Sequence, residues 1–481
     1  MKGTHWLLAA CIAAISLAQV DAQTPGQVPA QGPLSAPPPG NVVGNRYTGF
    51  VPKHEKILMD RGIAPSTQAT TRTELESRPA TPTHTLSTKP LPTDSSDSGI
   101  QQASYDVVVT DGIASPCGCE NPCNGMLCKL PKLYGRAEYM FMWSNGVDVP
   151  SLVTTSPSGT TQDDAGVLPI ASTLFGDDTF HDGMPGGRFT AGLWLNPEMR
   201  SAVEFSFMFL EDTESFSGTQ DDFETLARPF FNVDLDEEDA RLIVFDGLVE
   251  GSLNVSAETD FQSYEILLRR AIRVQSTGRT DLLFGFRRAK LDDVIRFDEQ
   301  TTSLSGPTID SEFDLFDEFS TENEFVGGVI GFDYVGPAIR CWSLGFNAKV
   351  AIGYSESDVT IAGQTSITTD PGLITENTVT NSGGLLTQDS NIGTFGNEDF
   401  STISEVGFSM TRRWPFGLGL RVGYNFLLWH EVNRAGNEID RFVNATQIPP
   451  STLVGEARPE QRDRPDNFWA QGITAGIEYR F

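Results

Sequence analysis

Four cysteines stand close together in the segment Pro116-Cys-Gly-Cys-Glu-Asn-Pro-Cys-Asn-Gly-Met-Leu-Cys128. Thiols this close either oxidise in pairs or hold a soft metal. In an exported chain, local disulfides among Cys117, Cys119, Cys123 and Cys128 are the expected chemistry, and which pairs form stays open. A zinc site is the weaker reading, because the spacing is not a repeated C-x-x-C design. Cys341 stands apart, as a free thiol or as a partner for one of the four. His181 and His430 each have acids nearby, as a His–carboxylate hydrolase would need. No serine or acid spacing around them repeats a known arrangement, so the chain is read as a non-enzyme without a cofactor. The run Asp234-Leu-Asp-Glu-Glu-Asp239 offers hard oxygen ligands. It is read either as a place for divalent cations or as a solvated acidic loop.

A second set of charged residues is more informative because of where it falls. Arg136, Glu138, Glu204, Glu265, Arg269, Arg287, Lys349, Glu405, Arg421 and Glu478 all sit inside segments in which apolar residues alternate with polar or small ones. Period-two alternation means a strand with two unlike faces. The segments are 133–143, 187–195, 201–210, 259–270, 280–292, 323–333, 342–353, 400–411, 416–429 and 472–481. In one of them Leu418, Leu420, Val422, Tyr424, Phe426 and Leu428 alternate with Gly419, Arg421, Gly423 and Asn425. If the apolar face meets lipid, the ten charges face inward, and both signs are present to pair. They are expected to form a salt-bridged lumen, with a structural role favoured over an ion-selective pore.

The connections between segments alternate long and short. The long ones are 144–186, 211–258, 293–322, 354–399 and 430–471; the short ones are 196–200, 271–279, 334–341 and 412–415. This is the pattern of an outer-membrane barrel, with short periplasmic turns and long exterior loops. The long connections hold 43 of the 64 acidic residues and 8 of the 34 basic ones, whereas the short turns carry six arginines against Glu198. Lipid offers no hydrogen bonds to backbone groups, so a sheet can cross it only when closed. The expectation is an all-β, transmembrane, antiparallel up-and-down barrel of about ten strands over 133–481, with Leu133–Trp143 paired to Gly472–Phe481.

The rest of the chain fits export. Residues 1–22 read as a signal peptide, with Lys2 before an apolar stretch too short to span a membrane and Val20 and Ala22 placed for cleavage before Gln23. Leu8-Ala9-Ala10-Cys11 also looks like a lipoprotein box, although the apolar run before Cys11 is short. Residues 23–116 hold 13 of the 29 prolines with many Ser, Thr and Gln, and read as a disordered linker before the cysteine-rich segment 117–132. A net charge of −30 repels phosphate backbones and argues against nucleic-acid partners. No later apolar run is long enough for a membrane helix.

The C-terminus, with Ile473, Ala475, Ile477, Tyr479 and Phe481 on one face, resembles the targeting signal of outer-membrane barrels, which implies the barrel-assembly machinery as a partner. Three further stretches resemble a family of β-barrel porins expanded in planctomycetes. They are Leu133-Tyr-Gly-Arg-Ala-Glu-Tyr-Met-Phe-Met-Trp143, Thr321-Glu-Asn-Glu-Phe-Val-Gly-Gly-Val-Ile-Gly331, and Gly423-Tyr-Asn-Phe-Leu-Leu-Trp429 followed by Asn433–Arg441. The first strand carries fewer tryptophans than that family's pattern. The resemblance covers roughly residues 130–481. It implies a bacterial outer-membrane location, contact with lipid, a pore or structural role, and no catalytic residues. The expected function is a porin-like passive pore or structural barrel with long acidic exterior loops. The alternative is a surface-binding or adhesion barrel that uses those loops.

Overall fold

The structure, a computed structural model, describes residues 133–146, 149–176, 183–414, 416–448 and 453–481. The signal peptide, the linker, Cys117, Cys119, Cys123, Cys128 and His181 lie outside the described residues. Sixteen strands are present among those described: β1 (Leu133–Ser144), β2 (Val153–Thr155), β3 (Ser172–Phe175), β4 (Met184–Trp194), β5 (Ser201–Thr219), β6 (Thr225–Asn232), β7 (Glu237–Phe245), β8 (Val249–Gln275), β9 (Gly278–Ser303), β10 (Glu312–Val335), β11 (Trp342–Thr369), β12 (Asn377–Ser382), β13 (Gly393–Arg413), β14 (Leu418–Val432), β15 (Phe442–Val443) and β16 (Asp466–Arg480).

Ten of these close a ring in the order β1-β4-β5-β8-β9-β10-β11-β13-β14-β16 and back to β1. Every neighbouring pair in the ring is antiparallel. The closing seam pairs Phe141 with Ile473 and Arg136 with Glu478, so the first and last strands meet as the alternation predicts. Closure leaves the ring no free edge, which is what a bilayer demands.

Outward side chains in the lower part of the ring are apolar and exposed: Phe141, Phe205, Ile266, Phe286, Ile330, Ile352, Phe408, Val422 and Ile473 belong to this collar. On β11 the collar runs from Leu344 to Tyr354. That is about ten residues, the length a tilted strand needs to cross the hydrocarbon core.

Several strands continue far beyond the collar, and the reading of the long connections as loops is corrected here. The stretch 293–322 is mostly the end of β9 and the beginning of β10, joined by a short turn. Likewise β8, β11 and β13 start or end well inside stretches read as loop. The reason is a change of phase. Within the collar the apolar residues of β9 point out (Phe284, Phe286) and its charge points in (Arg287). Above it, Lys290, Asp292 and Arg296 point out to water, while Leu291, Ile295 and Phe297 point in and are buried. The strand never stops; its apolar face crosses from lipid to interior.

What the upper apolar face meets is the remainder of the chain. Strands β2, β3, β6, β7 and β15 and the 3-10 turns 435–438 and 445–447 fold into the mouth of the ring. Leu152, Val153, Phe230, Ile243, Leu386, Ile439 and Val443 pack there against Leu253, Val255, Phe297, Phe319 and Ile361 of the wall. Strand β6 is buried along nearly its whole length, as an element enclosed on both faces must be. The result is a folded cap seated inside the barrel extension.

Candidate functional site

The interior of the ring is filled in successive levels. Lowest lies a polar level near the short turns. Arg269 bonds Glu204 at 3.0 Å, Asp281 at 3.0 Å and Asp333 at 2.5 Å. The Tyr134 hydroxyl donates to Glu204 at 2.5 Å. Arg421 and Arg136 share Glu138 at 3.1 and 3.8 Å. Glu478 receives Arg413 at 2.6 Å.

The next level holds three cations around two carboxylates. Glu405 contacts Arg188 at 2.6 Å, Lys349 at 3.0 Å and Arg287 at 3.5 Å. Glu265 contacts Lys349 at 2.6 Å and Arg287 at 3.4 Å. Asn425 accepts from Arg188 and donates to Thr474, which ties this level to β14 and β16. Taking charges out of water costs several kcal/mol per ion, so this interior is tolerable only because each charge meets an opposite one.

All ten charged residues singled out by alternation lie on the inner face. Six of them belong to the lower level (Arg136, Glu138, Glu204, Arg269, Arg421 and Glu478) and four to the upper (Glu265, Arg287, Lys349 and Glu405). Sequence reasoning missed Arg188, Asp281 and Asp333. Their signal was present: Arg188 alternates with Phe189, and Asp333 with Phe332.

Above the charges comes an apolar level: Met140, Met142, Met208, Phe261, Phe325, Leu427, Trp429 and Phe468. Phe261 stacks on Phe468 at 5.6 Å, and Trp429 meets Phe325 edge-on at 6.1 Å. The cap is then pinned by polar anchors. Arg434 pairs with Asp293 of the wall. Asn323 bonds the backbone of Asn433 in both directions, each at 2.8 Å. Higher still, Arg228 of β6 lies between Glu299 and Asp317 at 3.4 and 2.5 Å, and Arg241 of β7 reaches Glu299 at 2.6 Å. Asp317 also accepts from the backbone of Leu386 and Thr387 and from the Thr387 hydroxyl. Gly384 permits this approach, since a Cβ there would lie 2.1 Å from the Asp317 carboxylate.

Continuity is the property that matters. Glu405, Trp429, Phe261, Asp317 and Phe230, taken from successive levels, are each no more than 1% exposed. Exposure is greatest at the lowest level, where the Asp333 and Arg413 side chains keep 19% and 32%, and falls to 12% and 10% at Arg188 and Lys349 of the next.

Among the described residues, one cap side chain stands without a hydrogen-bond partner. Glu438 is fully buried, and neither carboxylate oxygen finds a hydrogen bond. Burial, with Asp463 nearby, pushes its carboxyl up to about 7, against the pull of Arg462 and Arg464.

The other candidates fare differently. His430 bonds the Asn467 amide at 2.9 Å rather than a carboxylate, in an open depression of about 440 Å³ with Phe400, Glu431 and Asp466. In the run 234–239, Asp239 is buried against Asn232 and Glu238 pairs with Arg441, so part of it is structural. Among the described residues no group of three or more His, Cys, Asp or Glu is placed to hold a metal ion. Cys341, in the turn between β10 and β11, is disulfide-bonded, which removes the free-thiol reading.

The chain resembles solved outer-membrane proteins at low identity. One is the outer membrane protease OmpT from Escherichia coli, at 8% identity, with 73% of this chain and 97% of that chain covered and a TM-score of 0.33. Another is a Pseudomonas aeruginosa FadL homologue, at 9% identity, 77% and 93% coverage and a TM-score of 0.21. No curated protein matches. Residues 134–481, the whole ring and its cap, match the family described as Putative beta barrel porin-7. The chain therefore belongs to that family and is an outer-membrane β-barrel.

Proposed function

We propose that this protein is a sealed structural barrel that anchors a rigid cap at the cell surface and does not conduct solutes. One observation carries the reading: the apolar level of Met140, Phe261 and Trp429 and the cap core above it are buried. A porin lumen has water-exposed walls; here the inward side chains are paired or packed. In this reading the long-strand end faces outward from the cell, and the short turns and the N-terminal segment lie in the periplasm. The terminal strand, with Tyr479 and Phe481 in edge-on contact at 4.7 Å, engages the assembly machinery. Conductance of the refolded wild-type chain in a planar bilayer is the test. Absence of unitary currents is expected; stable ohmic openings would overturn the proposal.

A second reading, surface binding by the exterior end, is favoured by the β11–β12 hairpin. Among the described residues strand β12 pairs only with β11; it carries no charge and is exposed along most of its length. Leu373 and Ile374 are exposed near its tip. Unpaired edges without charge or proline invite strand addition.

A further inference from the structure

We propose that the short-turn rim binds the phosphate groups of glycerophospholipids, with Arg412 as its central ligand. This holds whether or not the lumen conducts. Arg412 points outward, next below Met410 and Phe408 of the collar, and lies opposite Trp342 in the β11–β13 register. Its guanidinium sits over Trp342 at 5.6 Å and over Trp414 at 5.5 Å. Indoles settle at the boundary between lipid and water, so the two rings place this cation at headgroup depth. Stacking leaves the edge of the guanidinium fork free, and that edge matches two phosphate oxygens.

The rest of the rim supports the same partner. Arg270 points outward directly below Leu268, and its polar contact is the Ser201 hydroxyl at 2.6 Å. Arg200, Arg273 and Arg340 are exposed on the neighbouring turns. Among the described residues none of these five arginines makes an ion pair, in a chain of net charge −30. Of the acids close by, Asp281, Asp333 and Glu478 point inward and are already paired, while Glu198 is exposed on the turn that carries Arg200. Unpaired guanidiniums beneath an apolar collar meet one abundant anion, the lipid phosphate.

The full chain, refolded in detergent, would be offered phosphatidylglycerol or a galactolipid of the same acyl chains, and lipid retention read by native mass spectrometry. Preferential retention of the phospholipid is expected. R412Q should weaken it about five-fold and R270Q/R412Q roughly thirty-fold, each guanidinium near a headgroup being worth about that factor. R412K, which keeps charge but loses the fork and much of the stacking, should fall between. The heat-dependent gel shift of folded barrels confirms that each variant is native. Equal retention of the two lipids, or unchanged retention by folded R412Q, would overturn the proposal. Loss of the preference in excess inorganic phosphate would also overturn it, because the site would then be one for free phosphate.

Discussion

Replacing Glu405 by glutamine tests whether the lumen is dry. The Glu405 side chain is 1% exposed and has Arg188, Lys349 and Arg287 within 3.5 Å. Its level holds three cations and two carboxylates, so E405Q leaves three cations around Glu265 alone. Breaking a buried pair from one side costs about 3–5 kcal/mol, because the stranded charges stay desolvated. Unfolding from lipid vesicles in guanidinium, followed by tryptophan fluorescence and by gel shift, should show a loss of that size. Adding K349M restores the original excess of one cation: Arg188 and Arg287 then face Glu265. The double variant should regain more than half of the loss, a coupling measurable by the double-mutant cycle. A loss below about 1 kcal/mol for E405Q is what a solvated surface pair would give. That result would mean water reaches this level and would refute the sealed-barrel argument.

Other expectations rest on different parts of the molecule. V422R places a charge on the lipid face and should cost about 2–4 kcal/mol on refolding into bilayers if the site lies near the midplane; a neutral effect would reverse the facing of β14. Glu438 has its folded carboxyl raised to about 7 from 4.5, so its burial opposes the cap as pH rises through that window and does so in full above it. Hydrogen exchange in 435–448, corrected for intrinsic rate, should therefore be slower at pH 5 than at pH 7.5, and E438Q should flatten the difference; no pH dependence in wild type would refute this. Protease added to intact cells should cut near the exposed Leu373–Ile374 tip and spare the folded 211–258 stretch. Cleavage confined to the N-terminal segment would invert the topology.

Alternation alone disclosed the ring, its seam and its inner charges, because within the collar lipid and lumen impose opposite chemistry on successive residues. Leu420, Arg421 and Val422 show that contrast in three positions. The cap was not legible for the same reason. Above the collar the outer face is polar and the inner face apolar, so Phe297 and Phe319 fall out of phase with Phe284 and Phe286 and break the pattern. Strand β6, enclosed on both sides, alternates in nothing. The ligands of Asp317 come from β6 and from the 384–387 turn, residues far apart in sequence whose meeting only the folded cap creates.

The reversal of the apolar face along a single strand has a consequence for how these long strands find their partners. Strands β9 and β10 pair from Arg279–Val335 to Thr302–Glu312 without a bulge. In an ordinary membrane strand, a slip by one residue offends only the bilayer. Here one slip would send Arg287 into lipid and, in the same movement, turn Phe297 out into water and Arg296 into the cap. Two solvents would object to the same mistake, from opposite ends of the strand. Register is thus proofread twice, once by the membrane and once by the cap, and a misaligned pair has no stretch in which to rest.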